Sequence, residues 1–161
     1  MITALILIPL LGALFVSIAP QHRARAVALI FTVISASLAV LLWRSFDTTA
    51  AGLQLVERHA WIPSIGAEYL LGIDGLSLLL VLLTTLVFPF ALLAQRGGGG
   101  FCALMLVMQS ALYGNFTAQN FVLWFLFYEM SLIPAFLLIR LWGGHRREVA
   151  ATKFFLYTFL G

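Results

Sequence analysis

The sequence predicts an all-α protein, a polytopic transmembrane bundle of about six spans, five complete and the sixth cut short. Three observations predict it. The 161-residue chain is 63% hydrophobic and 9% charged, whereas soluble domains carry about a quarter charged residues. An apolar surplus of this size cannot be hidden inside a water-soluble core. The apolar residues also fall in runs of span length, separated by short polar or basic connections. The formal charge of +3 therefore bears on loop topology and implies no nucleic-acid partner. The single cysteine, Cys102, lies inside an apolar run, which excludes an intrachain disulfide and a cysteine metal cluster.

Met1 to Ala19 forms the first span, with Pro9 as a tolerated kink. It has no basic stretch before its apolar run, so it is expected to be retained and not cleaved as a signal peptide. Residues 20–25 read as a short basic turn, and Ala26 to Trp43 as the second span. From Arg44 to Gly72 the composition turns polar, and alternation around VERHAWIPSIGAEYLLGI predicts a hairpin in an extramembrane loop. Asp74 precedes the third span, Leu76 to Ala94. It reads as an N-cap, its carboxylate accepting from unpaired backbone donors at the positive end of the helix dipole. A direct proton role is the alternative. Thr84 and Thr85 read as packing groups, and Pro89 as a second kink.

Gln95 to Gly100 predicts a tight turn; it lacks the Lys-Ser/Thr of a phosphate loop and a preceding strand. Phe101 to Phe116 is the fourth span, interrupted by Gln109, Ser110, Gly114 and Asn115, residue types suited to helix contact. The fifth, from Asn120 to Gly144, carries the chain's one acid deep within an apolar run, Glu129. A carboxylate at mid-bilayer costs at least ~2.5 kcal/mol, so Glu129 must face protein or a wet cavity. Pro134, five residues on, lacks an N–H and frees a carbonyl near the acid. An acid beside a local break in the backbone ladder points to ion handling. The alternative is a protonated side chain acting only as interhelical glue. A basic loop, residues 143–148, leads to a sixth helix from Val149, within which the sequence stops. Lys153, one turn in, either snorkels to the interface or joins a buried charge network; Arg140 reads as a snorkelling side chain. His22, His59 and His145 have no metal-ligand spacing.

The first, third and fifth loops carry Arg23 and Arg25, then Arg96, then Arg146 and Arg147. The positive-inside rule places these in the cytoplasm, and the N-terminus and the 44–75 loop outside.

Three stretches carry a family resemblance. DGLSLLLVLLTTLVFP at Asp74–Pro89, FYEMSLIPAFLLIRLWGG at Phe127–Gly144 and REVAATKFFLYTFLG at Arg147–Gly161 resemble, in order and spacing, the M-type antiporter-like subunit of proton-pumping NADH:quinone oxidoreductase, respiratory complex I. The resemblance covers essentially the whole chain. It implies the N-terminal part of a fold of about fourteen helices with inverted repeats. Residues 1–100 would hold helices 1–3 with the outward loop, and 101–161 the start of the first repeat. It implies that Glu129 matches the family's fifth-helix glutamate, whose protonation couples to a lysine on a helix beyond this sequence. Lys153 matches a lysine common in the sixth-helix motif. Two coupled groups of this kind shift each other's pKa, so moving one releases or takes a proton.

The implied function is proton translocation coupled to electron transfer from NADH to quinone, as one subunit of that enzyme; alone the chain is expected to be inactive. NADH, FMN, iron–sulfur clusters and quinone are expected in partner subunits, with no cofactor or metal in this chain. Expected partners are the L- and N-type antiporter-like subunits and the lipid bilayer. The expected location is a multi-pass position in a membrane, the bacterial inner membrane. A stop inside a span leaves carbonyls unpaired in lipid, so a longer gene product is expected. Two other readings remain: a subunit of an Mrp-type cation/proton antiporter without electron transfer, and a non-pumping structural membrane fragment.

Overall fold

The computed structural model describes residues 1–94 and 97–160. Gln95 and Arg96, the first two residues of the turn predicted over Gln95 to Gly100, and the terminal Gly161 lie outside the described residues. Six helices run α1 Ile2–Ile18, α2 Gln21–Ser45, α3 Gly75–Ala94, α4 Gly99–Thr117, α5 Phe121–Trp142 and α6 Arg147–Leu160. Strands β1 Gln54–Ile62 and β2 Ala67–Ile73 form the expected hairpin between α2 and α3. Helices α2, α3 and α5 are long and apolar enough to cross a membrane. Helix α1 is apolar but shorter, at 17 residues.

Several boundaries move outward from the sequence reading. The basic stretch after Pro20 is the first turns of α2, because nothing past the proline breaks a helix and arginine is a good helix former. Gly99 and Gly100 already belong to α4, and Arg147 and Glu148 to α6. Helix α4 is not interrupted by Gln109, Ser110, Gly114 and Asn115. Gln109 and Ser110 are wholly buried, and they interrupt only the hydropathy.

Helix α4 is the centre of the bundle and packs on α1, α2, α3 and α5. Two apolar clusters surround it. One lies toward the hairpin and joins Ile2, Leu5, Leu42, Val81, Tyr113 and Phe127 with Leu71 and Ile73 of β2. The other lies toward the far end and joins Val16, Ala28, Phe88, Leu92, Phe101 and Leu106.

The hairpin clasps one end of the bundle. β1 and β2 pair antiparallel, Arg58 opposite Leu70 and His59 opposite Tyr69, with register shifts on both sides. The first shift places Leu55 at φ 54°, a left-handed conformation costly for a residue with a branched side chain. That shift delivers Glu57 to the start of α1. There Ile2 and Thr3 donate their N–H groups to the Glu57 carboxylate at 2.9 and 3.0 Å. The Met1 ammonium and the Thr3 hydroxyl also bond to it. On β2, Gln119 N–H donates to Leu70 O at 2.9 Å, and Asn120 Nδ2 donates to Gly66 O at 3.1 Å. Asn120 Oδ1 meanwhile accepts from Val122 N–H at 3.1 Å and so caps α5. The hairpin thereby fixes the starts of α1, α3 and α5 and the end of α4.

Partial burial pushes the Glu57 carboxyl up, but the ammonium, the Thr3 hydroxyl and the Thr3 N–H outweigh it and hold it down at about 2 against an ordinary 4.5. A depressed folded-state pKa stabilises fully above the unfolded value. The stabilisation is then lost as pH falls from 4.5 toward 2. Thermal unfolding in detergent from about pH 6 to about pH 3 should show this loss. Glu57→Gln should be less stable by about 2 kcal/mol at neutral pH, and the gap should narrow on acidification.

Candidate functional site

Between the two apolar clusters lies a level of small and polar side chains. It comprises Gly12 of α1, Thr32 and Ser35 of α2, Thr84 and Thr85 of α3, and Gln109 and Ser110 of α4, all buried. Most satisfy themselves on their own helix. The hydroxyls of Thr32, Ser35 and Thr84 donate to Leu29 O, Phe31 O and Leu80 O at 2.8 to 2.9 Å. Two bonds cross between helices. Ser110 Oγ donates to Ile6 O of α1 at 2.6 Å. On the other side Gln109 Nε2 donates to Tyr113 Oη at 2.9 Å, and Tyr113 Oη lies 2.8 Å from Thr85 Oγ1. Thr85 donates to Val81 O at 2.7 Å, so the Tyr113 hydroxyl is the donor toward Thr85. Gln109 Oε1 and Asn115 Oδ1 are buried without a donor among the described residues. Sequence reading noted Thr84, Thr85, Gln109, Ser110 and Asn115 as packing groups and did not single out Gly12, Thr32 or Ser35. It missed Tyr113 as the link, because a tyrosine in an apolar run carries no signal of its partner.

Glu129 lies on the hairpin side of this level, between Phe127 and Met130, which both pack in the hairpin-side cluster. Helices α4 and α5 run antiparallel and touch where Gly114 meets the Phe127 ring. Two residues further along α5, opposite the stretch of α4 that leads back to Ser110, comes Glu129. The acid is half-buried, and among the described residues no ion pair reaches it. Pro134 is buried inside an unbroken α5. It leaves the Met130 carbonyl, next to Glu129, without the N–H it would otherwise receive. Lys153 is exposed on α6, beside Glu148, Val149 and Thr152. The structure does not bring Lys153 and Glu129 into an ion pair. Arg140 lies over the Phe136 ring at 5.8 Å.

Asp74 stands apart, at the hairpin end. Its Oδ1 accepts from the Ser77 N–H at 2.7 Å, and Ser77 Oγ accepts from the Asp74 N–H at 2.7 Å. This reciprocal pair is a capping box on α3. The Ser77 N–H and hydroxyl hold the Asp74 carboxyl below its ordinary range. Among the described residues, no group of three or more His, Cys, Asp or Glu is arranged to hold a metal ion.

Charge divides between the ends of the bundle. Gly99 N–H donates to Gln21 Oε1 at 2.8 Å, and the Phe101 ring meets Trp142 edge-on at 5.5 Å. The starts of α2 and α4 and the end of α5 are therefore neighbours. Arg23, Arg25, Arg140, Arg146 and Arg147 gather at that end with one acid, Glu148, while Asp47, Glu57, Glu68 and Asp74 lie at the hairpin end with Arg44 and Arg58.

A bundle of membrane-spanning helices with a buried polar level and one half-buried acid on a spanning helix is the class that fold and site define: a helical integral membrane protein. Residues 118–161 match the family model described as NADH:quinone oxidoreductase/Mrp antiporter, TM. The chain is 40% identical, over 99% of its length, to NAD(P)H-quinone oxidoreductase chain 4 2 of Thermosynechococcus vestitus. It is 41% identical, again over 99%, to chain 4 1 of Synechococcus elongatus. It also superposes with TM-score 0.86 and 31% identity, over 99% of this chain and 33% of the other, on a chain of respiratory complex I from Thermus thermophilus with bound NADH. The chain belongs to the antiporter-like membrane-subunit family of these enzymes. It spans about a third of the length of the curated relatives it matches.

The contact that sets the height of Glu129 is testable. A Cβ on Gly114 would lie 2.3 Å from the Phe127 ring. Gly114→Ala should therefore push α4 and α5 apart and cost about 1–3 kcal/mol, measured by denaturant unfolding in micelles. Adding Phe127→Leu should recover most of that loss.

Proposed function

We propose that this chain acts as part of a proton-translocating membrane subunit of an NADH:quinone oxidoreductase, with Glu129 as a proton-carrying group. The observation that carries the reading is the position of Glu129, half-buried within a helix long and apolar enough to cross a membrane. Similarity to chain-4 subunits along the whole sequence supports it. A carboxylate held at this depth is costly unless a base or water meets it. Its protonation state then follows whatever approaches its open side. The freed Met130 carbonyl offers an acceptor to a protonated Glu129 or to water beside it. Lys153 is proposed as a further member of the charge network, acting after a rearrangement of α6 or from the interface. Asp74 and Pro134 are given structural roles, as a helix cap and as the missing donor in the hydrogen-bond ladder of α5.

On this reading NADH, FMN, iron–sulfur clusters and quinone are bound by other subunits, among them L- and N-type neighbours beside this chain. Residues 1–100 form the helices that precede the first repeat, and 101–161 begin it. The membrane is a bacterial inner membrane, with the N-terminus and hairpin outside; the gathering of arginines at the far end supports that orientation. An Mrp-type antiporter subunit is the second reading, favoured by the shared family model.

In the assembled full-length protein, Glu129→Gln should abolish or strongly reduce proton translocation while assembly survives, because Gln keeps the shape but exchanges no proton. Glu129→Asp should retain part of the activity. Proton pumping into vesicles, set against quinone reduction, reads both. Full pumping by the Gln variant would leave Glu129 a structural group. Orientation is checked with single cysteines placed in residues 46–56. They should react with a membrane-impermeant thiol reagent from outside intact cells. Labelling only after permeabilisation would invert the topology.

A further inference from the structure

The turn between α5 and α6 carries an unusual density of cations that neither the fold nor the proposed proton path uses. Arg140 lies in the last turn of α5, which ends at Trp142; Gly143, Gly144, His145 and Arg146 connect, and Arg147 opens α6. Arg140, His145, Arg146 and Arg147 are all exposed. Among the described residues none of the three arginines is in an ion pair. The Arg147 guanidinium donates to Leu141 O at 3.0 Å and so is held against the end of α5. Residues 144–149 line a shallow, half-polar cavity of about 550 Å³. Glu148, on the first turn of α6, is the one acid at its wall.

The depth of this patch decides what it meets. A connection of four residues cannot rise far above the membrane surface. Trp142, packed on Phe101, sits immediately before it as an interfacial residue. The guanidiniums are therefore held at headgroup level, facing sideways as well as outward. Cations at that level are attracted to anionic lipid at about fivefold in affinity per residue. An acidic protein partner would instead need a surface that projects away from the membrane.

We propose that the α5–α6 turn is a binding site for the phosphate headgroup of an anionic phospholipid, held by Arg140, Arg146 and Arg147 and opposed by Glu148.

The test titrates the delipidated full-length protein with phosphatidylglycerol and, separately, phosphatidylcholine, and reads bound lipid by native mass spectrometry. We expect tighter binding of phosphatidylglycerol. R146Q should lower that preference about fivefold and E148Q should raise it, whereas R23Q, at the start of α2, should leave it unchanged. Among the described residues the Arg146 side chain makes no hydrogen bond or ion pair, so its variant tests charge and not assembly. Absence of a preference, or one that R146Q and E148Q both leave in place, would overturn the proposal. So would loss of the preference in R23Q alone, or crosslinking of residue 146 to an acidic neighbouring subunit in place of lipid.

Discussion

Helix α4 cannot face lipid, and the rest of the bundle follows from that constraint. It carries Gln109, Ser110, Asn115 and Thr117 together with Gly114. In hydrocarbon each side-chain amide or hydroxyl must find a partner or be shielded. The solution is to surround the helix. Helices α1, α2, α3 and α5 pack around it, and their own outward faces carry the apolar residues that lipid requires, such as Leu14, Ile30, Leu79 and Phe121. A helix less apolar than its neighbours is thus the inner one, and its polar side chains meet those of α3 and the backbone of α1.

The hairpin solves a different problem. Spanning helices satisfy their backbone internally, but their ends do not. Glu57 serves the start of α1, and Gln119 and Asn120 tie the α4–α5 connection to β2. At the other end a side chain does comparable work, with Gln21 of α2 serving the first turn of α4. Hairpin and helix ends hold each other, so an extramembrane loop sets the register of buried helices and with it the height of Glu129.

Helix positions and the hairpin were legible because they rest on local patterns: apolar run length, period-two alternation, and the capping residue Asp74. The ends were less legible. A basic stretch reads as loop by charge, yet Arg23 and Arg25 sit in helix because charge alone breaks no hydrogen-bond ladder. Glu57 was visible only as a charged loop residue, since its partners lie more than fifty positions away. The Gly114–Phe127 contact and the Gln109–Tyr113–Thr85 chain were hidden for the same reason: each joins different helices. Glu129 stood out as the one acid deep within an apolar run, but no spacing in the sequence revealed that polar side chains of α2, α3 and α4 share one buried level.

The buried polar level has a physical consequence of its own. A charge placed among apolar side chains feels only the cost of leaving water, whereas one near a stratum of fixed dipoles is partly compensated before any counter-ion arrives. The hydroxyls of α2 and α3 are committed to their own helices. They supply orientation without needing a further acceptor. Gln109 Oε1 and Asn115 Oδ1 of α4 are different: they are acceptors with no donor among the described residues. An unmet acceptor in low dielectric is costly, so the inner helix has spare capacity for a donor, and any group that supplied one would stabilise the packing around α4.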